Sequence, residues 1–193
     1  MLERICRPML EAGKQVMVLS AGALLSRPDL VELAKARGGQ IIVPTGALLG
    51  LDAVTAAAEG RIHSVRLITR KPPRGLVGAP YLTAKGISLE GLNAPKLVFS
   101  GTAREAAAGF PANVNVAAAL ALAGIGPDRT MTEIWADPSL DRNCHTVEVD
   151  SDSARFTLSI ENIPSDNPRT GRITALSVLA ALRKLASPLR IGT

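Results

Sequence analysis

Two early segments share one arrangement of apolar and polar positions. Residues 15–24 (QVMVLSAGAL) and 40–48 (QIIVPTGAL) each form a short, largely aliphatic run that leads through a small polar residue to Gly-Ala-Leu. A helix-like stretch follows each run, at residues 28–37 and 48–59. Because a continuously apolar strand suits a sheet covered on both faces, this alternation of strand, turn and helix predicts a parallel α/β unit.

The pattern changes after Gly60. Residues 64–69 (SVRLIT) and 96–100 (KLVFS) predict short strands, and the Pro- and Gly-rich residues 71–80 predict a loop. Thr102 and Glu105 have the spacing of a capping box, so a helix should begin there and end near Gly109. Residues 113–123 (NVNVAAALALA) predict a second helix built from small residues.

The last third of the chain has β character followed by one helix. Residues 146–149 and 156–160 alternate apolar and polar positions, which is typical of antiparallel strands with one face on the core. Residues 173–185 are apolar nearly all round a helix, with Ile173, Leu176, Leu179, Leu182 and Leu185 recurring every three residues. We therefore expect this helix to be buried.

Together these elements predict a chain of two parts. Residues 1–60 have the pattern of the tail of a parallel α/β domain, and residues 61–193 that of an α+β domain with an antiparallel or mixed sheet. Two strands would leave a sheet edge unpaired, so we expect the first part to be completed by further structure.

Composition narrows the class of protein. The chain is 47% hydrophobic and 20% charged, as in ordinary globular proteins, and its net charge of +5 comes from scattered basic residues. Without a basic run or interleaved aromatics, the charge argues against a nucleic-acid partner and is compatible with a small anionic ligand. No apolar run is long enough for a membrane span, and the N-terminus does not have the pattern of a signal peptide. Cys6 and Cys144 have neither metal-ligand nor disulfide-framework spacing, so we expect a cytoplasmic protein.

Two histidines limit the candidates for acid–base chemistry. His63, at the entry to a predicted strand, has the setting of an ordinary surface residue. His145 opens a strand behind a polar loop, where a histidine can face a cleft and exchange protons near neutral pH, although position alone does not decide this. Cys144 is an unsuitable nucleophile for His145 because adjacent residues on a strand point to opposite faces.

Other positions allow both a structural and a ligand-binding interpretation. The turns at Gly22-Ala23 and Gly46-Ala47 could admit a ligand to the ends of parallel strands or simply be tight. Asn113 has the setting of a helix cap, whereas Asn115 in the first turn could face a cleft or cap the backbone. Loops with cations at residues 69–73 and 167–170 could bind a carboxylate or be solvated.

Several segments, taken in order, resemble the L-aspartate dehydrogenase family from about Gln15 to the C-terminus. They are VLSAGAL (18–24), VPTGALLGLDAV (43–54), RLITRKPP (66–73), FSGTAREAAAGFPANVNVAAALALAGIGPDRT (99–130), IWADPSLDRNCHTVEVD (134–150) and NPRTGRITALSVLAALRKL (167–185).

The resemblance implies a Rossmann domain that binds NAD or NADP, with residues 1–60 as its C-terminal remnant, and a catalytic and dimerisation domain over residues 61–193. The implied reaction is oxidative deamination of L-aspartate through iminoaspartate to oxaloacetate and ammonia, which is linked to NAD biosynthesis. The family's catalytic histidine corresponds to His145, and its cofactor contacts correspond to Ala47 and Asn115. A homodimer is also implied. Arg70, Lys71 and Arg169 are our candidates for binding the substrate carboxylates.

The chain departs from the family at its start. It contains no G-x-G-x-x-G motif, and Met1 corresponds to a helix inside the Rossmann domain, ahead of the strand at Gln15. We therefore expect the 193 residues alone to bind the cofactor weakly or not at all. Two alternatives stay open at this point: a non-catalytic remnant or dimerisation module, and a related NAD(P)-dependent dehydrogenase that acts on another amino acid.

Overall fold

A computed structural model describes residues 1–112, 114–165 and 171–192. Its first part comprises α1 (Leu2–Glu11), β1 (Gln15–Met17), a 3-10 helix (Ala21–Leu24), α2 (Pro28–Arg37) and β2 (Gln40–Ile42). The two strands pair in parallel, with Gln15 opposite Gln40 and Met17 opposite Ile42, which confirms the predicted parallel unit. Both strands are shorter than predicted, and the chain turns away after Val18 and before Pro44, which has no N–H to donate to a sheet.

A small apolar core joins these elements. Cys6 and Leu10 of α1 pack with Val16 and Val18 at β1 and with Leu30 of α2. Leu10 and Leu30 are completely buried, so the helices cover one side of the two-stranded sheet.

The central part comprises α3 (Leu51–Ala58), β3 (Ile62–Lys71), α4 (Pro80–Ala84), β4 (Lys96–Thr102), α5 (Ala103–Gly109) and α6 (Asn115–Ala123). The predicted capping box is confirmed: the Glu105 N–H donates to Thr102 Oγ1 over 3.2 Å, and the Thr102 N–H donates to the Glu105 carboxylate over 2.7 Å. The segment predicted as loop, residues 71–80, begins inside β3 and leads into α4. The predicted cap residue Asn113 lies outside the described residues.

Five strands form the main sheet. β5 (Thr130–Ala136), β6 (Asn143–Ser151) and β7 (Arg155–Asn162) join β3 and β4 in the order β4-β5-β3-β6-β7. β3 pairs in parallel with β5 and the other pairs are antiparallel, so the sheet is mixed as predicted. One face packs beneath α5 and α6 through residues such as Leu67 and Ile134. The opposite face carries polar pairs, with Arg66 bonded to Glu133 and Glu148.

The C-terminal helix α7 (Arg172–Ala186) has the predicted position but not the predicted burial. The prediction that it is buried is wrong: Leu176 is 60% exposed, and Leu179 and Leu182 are each 50% exposed. The physical reason is that α7 contacts the rest of the described chain along one side only, where Ser177 meets the turn after β2. In the described part of the chain, no helix combines the length and apolarity needed to cross a membrane.

Candidate active site

His145 lies on β6 with its side chain on the helix-covered face of the main sheet. Antiparallel pairing puts it directly opposite Thr69 of β3, and the two side chains share a hydrogen bond of 3.0 Å between Thr69 Oγ1 and His145 Nδ1. Both residues are buried. On the other neighbouring strand, β7, the residue opposite His145 is the apolar Ile160.

Lys71 is the charged residue that acts most directly on His145. It follows Thr69 by two positions on β3, so both lie on the same face, and it is only 5% exposed. Burial lowers the pKa of the Lys71 ammonium to about 8. Burial, and secondly the charge of Lys71, lower the pKa of His145 to about 3, so its imidazole is neutral at neutral pH.

Ala47 lies in the turn that follows β2. Gly46 adopts a φ of 65°, which favours glycine, and its N–H donates to Ser177 Oγ of α7 over 3.1 Å. The Ala47 carbonyl accepts a bond of 3.0 Å from Nδ2 of the buried Asn162, at the end of β7. The turn is therefore held from the main sheet and from α7, although the sequence places it in the N-terminal part.

Asn115 is the first residue of α6. Its Oδ1 accepts a bond of 3.1 Å from the N–H of Gly22, in the 3-10 helix that follows β1. Because a backbone N–H requires an acceptor, this bond fixes the orientation of the amide. The Nδ2 group of Asn115 is thus the end that can donate to a ligand.

The structure brings the three predicted site residues into one cavity of about 100 Å³. Ala47, Asn115, His145 and Lys71 line it together with Leu19, Ala21, Asn143, Gly171 and Thr174, among others. The cavity lies where β1 and β2 end, and the carboxyl ends of parallel strands are the usual ligand site of open α/β sheets. A larger groove, of about 900 Å³, runs past α2, β2 and α3 and contains none of the three.

The residues predicted to bind the substrate carboxylates do not all lie at the cavity. Lys71 lines the cavity with His145. Arg70 does not, because it lies on the opposite face of β3, where its guanidinium is 5.6 Å from the centroid of the Trp135 ring and 3.9 Å from the Asp137 carboxylate. Arg169 lies outside the described residues. Of these two cations, Lys71 and not Arg70 lies at this cavity.

Two neighbours of His145 were missed by sequence reasoning. Thr69 bonds the ring, and Asn143, two residues before His145 on β6, lines the same cavity. Period-two alternation links Asn143 to His145, but only the register between β3 and β6 identifies Thr69. Cys144 pairs with Arg70 on the other face, in agreement with its exclusion as a nucleophile, and His63 is exposed.

A buried histidine that faces the carboxyl ends of a parallel strand pair marks a ligand-binding site of an α/β protein. Comparison with known proteins is more specific. The family model described as "Aspartate dehydrogenase, C-terminal" matches residues 52–185. The chain belongs to the aspartate dehydrogenase family.

Individual relatives agree. L-aspartate dehydrogenase 3 of Bordetella bronchiseptica is 62% identical over 192 residues, which is 100% of this chain and 71% of the relative. L-aspartate dehydrogenase of Bradyrhizobium diazoefficiens is 60% identical over 192 residues, which is 100% of this chain and 69% of that relative. The crystal structure of aspartate dehydrogenase from Thermotoga maritima superposes with a TM-score of 0.81 at 27% identity, covering 99% of this chain and 74% of the other.

Proposed function

We propose that the protein catalyses the nicotinamide-dependent oxidative deamination of L-aspartate. In this reaction L-aspartate, water and NAD(P)+ give oxaloacetate, ammonium, NAD(P)H and a proton. The observation that carries the proposal is the convergence of His145, Ala47 and Asn115, which are far apart in sequence, on one cavity at the ends of the parallel strands.

The cavity residues fit the nicotinamide end of the cofactor. Ala47 brings only a methyl group to the turn after β2, and Asn115 has an amide donor that its own Oδ1 bond leaves available. We propose that Asn115 donates to the cofactor and that the small side chain of Ala47 allows close approach. When bound, the nicotinamide ring accepts the hydride, and the chain's own residues position the substrate and move protons.

His145 is the proposed proton acceptor, acting on the substrate nitrogen or on the water that attacks the imine. Its neutral ring has the correct protonation state for a base, but a pKa of about 3 makes it a weak one. Burial is the larger cause of the lowered pKa of His145, and the charge of Lys71 is the smaller one. A carboxylate bound at Lys71 would offset only the smaller cause and so raise the pKa of His145 in part.

Lys71 is the proposed ligand for one substrate carboxylate. It carries a charge into a largely enclosed cavity, where an ammonium–carboxylate contact is screened less than at the surface. An enclosed cation also favours a dicarboxylic amino acid over one with a neutral side chain, because only the side-chain carboxylate brings an opposite charge to the ammonium.

The test is NADH or NADPH formation by the purified protein with L-aspartate, L-asparagine, L-glutamate and L-alanine, at a cofactor concentration raised to offset the weak binding expected of the 193 residues. We expect L-aspartate to have the highest kcat/KM and His145→Ala to lower its kcat by about 100- to 10,000-fold. Lys71→Met should act mainly on the KM for L-aspartate, raising it by about 10- to 100-fold. His63→Ala is the matched control, because His63 is exposed and lies outside the cavity. Full turnover in His145→Ala, or a preference for L-alanine, would contradict the proposal.

We also propose a homodimer in the cytoplasm. The family resemblance implies the dimer, and the exposed leucines of α7 form an apolar surface that a second copy would bury. Both cysteines are free thiols, with Cys6 buried, which suits a reducing compartment.

A further inference from the structure

We propose that Thr69 is a positioning residue for His145: its hydroxyl holds Nδ1, so that the ring presents Nε2 to the cavity in a single orientation and tautomer. This inference deepens the function proposed above, because it assigns a role in the same site to a residue outside the cavity lining. It is carried by the 3.0 Å contact between Thr69 Oγ1 and His145 Nδ1, on the paired strands β3 and β6.

Among the residues that flank the His145 ring on the sheet, Thr69 on the neighbouring strand β3 is its hydrogen-bonding partner. Across β7 the facing residue is Ile160, and two positions further along β6 is the buried Val147, neither of which can bond an imidazole. Asn143, two positions before His145, could do so, but in the described part of the chain the bond to the ring comes from Thr69. A neutral imidazole has one N–H and one lone pair, and the bond made by one nitrogen determines what the other can do. A base that acts through Nε2 needs its lone pair there, so in the proposed arrangement Nδ1 carries the hydrogen and donates it to Thr69 Oγ1.

Charged groups around His145 do not replace this contact. Lys71 faces it from β3, and it acts by its charge. Opposite Lys71 on β5 is Ala136, and from α6 the cavity receives Asn115; neither of these carries a charge. Burial of His145 keeps the ring neutral across the ordinary pH range, so its orientation, and not its charge, is what Thr69 can set.

The fold supplies a control residue of the same type. Thr132 of β5 is on the same face, lines the small cavity beneath α6 with Thr69, and is also buried. Unlike Thr69, its Oγ1 has no hydrogen-bond partner among the described residues. Replacing Thr132 by valine therefore changes the same atoms at the same depth without removing a bond.

The experiment compares Thr69→Val, Thr69→Ser and Thr132→Val with the wild-type protein labelled with ¹⁵N in its histidines. The chain has two histidines, and His63 is exposed and serves as an internal reference. In the wild type we expect one pyrrole-type and one pyridine-type nitrogen for His145, unchanged through the neutral pH range. Thr69→Val should give averaged shifts, while Thr69→Ser and Thr132→Val should retain the wild-type pattern.

Steady-state kinetics of the same variants are the second measurement. Thr69→Val should lower kcat for L-aspartate by about 10- to 100-fold with little change in KM, because a misoriented base affects the chemical step more than binding. Thr69→Ser should restore most of kcat, and Thr132→Val should match the wild type.

Unchanged His145 shifts and unchanged kcat in Thr69→Val would overturn the inference, as would a loss that Thr69→Ser does not restore. If no variant, including the wild type, oxidises L-aspartate, the proposed function fails. The nitrogen shifts would still decide whether Thr69 orients His145.

Discussion

Because His145 is buried as a neutral base, the free energy of unfolding depends on pH. Its pKa is about 3 in the folded protein, against about 6.5 in an unfolded chain, so the unfolded state takes up the proton first as the pH falls. The stability that comes from keeping the ring neutral is therefore fully present above about pH 6.5 and is lost progressively below it.

We expect the free energy of unfolding to fall by up to about 2 kcal/mol between about pH 7 and about pH 5 because of this one residue. Chemical denaturation at several pH values measures it, with His145→Gln as the comparison. Ion-paired surface acids such as Asp29 do not confuse the measurement, because their lowered pKa values place their titration below this range. The same slope in His145→Gln as in the wild type would contradict the assignment.

At the residue scale, the sequence could predict the type of site residue better than the direction of its side chain. Arg70 and Lys71 are adjacent and both cationic, so the sequence offered both as carboxylate ligands. Alternation along β3 means that only one of them can face His145, and the register of β3 against β6 decides that it is Lys71. The Thr69 contact has the same origin, since it exists only because two distant segments pair in this register.

Among the elements, the loop between β2 and α3 connects the site to the main sheet. Gly50, which precedes α3, has a φ of 68°, and a Cβ placed on it would overlap the Leu158 side chain of β7. The loop that carries Ala47 is therefore packed directly on the outer strand of the sheet.

We predict that Gly50→Ala destabilises the protein more than Gly86→Ala. Gly86 has a similar φ of 62° but nothing within 4 Å of the added carbon, so its substitution costs only the backbone strain, about 1 kcal/mol. Gly50→Ala also displaces the end of the Leu158 side chain, for a total of about 2 kcal/mol. Thermal or chemical unfolding of both variants measures the difference, and equal losses would mean that the loop does not pack on β7.

How far the elements could be predicted depended on local signals. Pro28 and the residues before Gly38 define α2, whose bounds agree with the prediction, and the Thr102–Glu105 capping box marks the start of α5 correctly. The short helix α4 was not predicted, because its five residues are too few for a period to appear. Its Tyr81 packs edge-on against Phe99, a long-range contact that has no local signal.

For the whole molecule, the exposed face of α7 is the largest departure from expectation. An apolar helix indicates burial, but the sequence does not say whether the covering surface comes from the same chain or from a second one. Ile173, Leu176, Leu179, Leu182 and Leu185 are all more than 40% exposed, and Leu189 beyond the helix is 71% exposed.

If a second copy covers this face, Leu176→Lys with Leu179→Lys should convert a dimer into a monomer without loss of helix content. Light scattering coupled to size-exclusion chromatography gives the mass, and circular dichroism gives the helix content. Val77→Lys is the control, because Val77 is equally apolar and 70% exposed but lies outside α7. A wild-type monomer at micromolar concentration would refute the dimer. A doubly substituted protein that still dimerises would show that α7 is not the interface.

The two-stranded sheet of β1 and β2 should also unfold locally more readily than the main sheet. Each strand contributes only three residues, and their core is separate from the larger one beneath α5 and α6. Two short paired strands have little stability of their own, so the amides here should exchange with deuterated solvent through local openings of lower free energy than those of β3 or β6. Asn115 bonds to Gly22 just beyond β1, so a ligand that engages Asn115 should slow exchange in the segment that opens most readily.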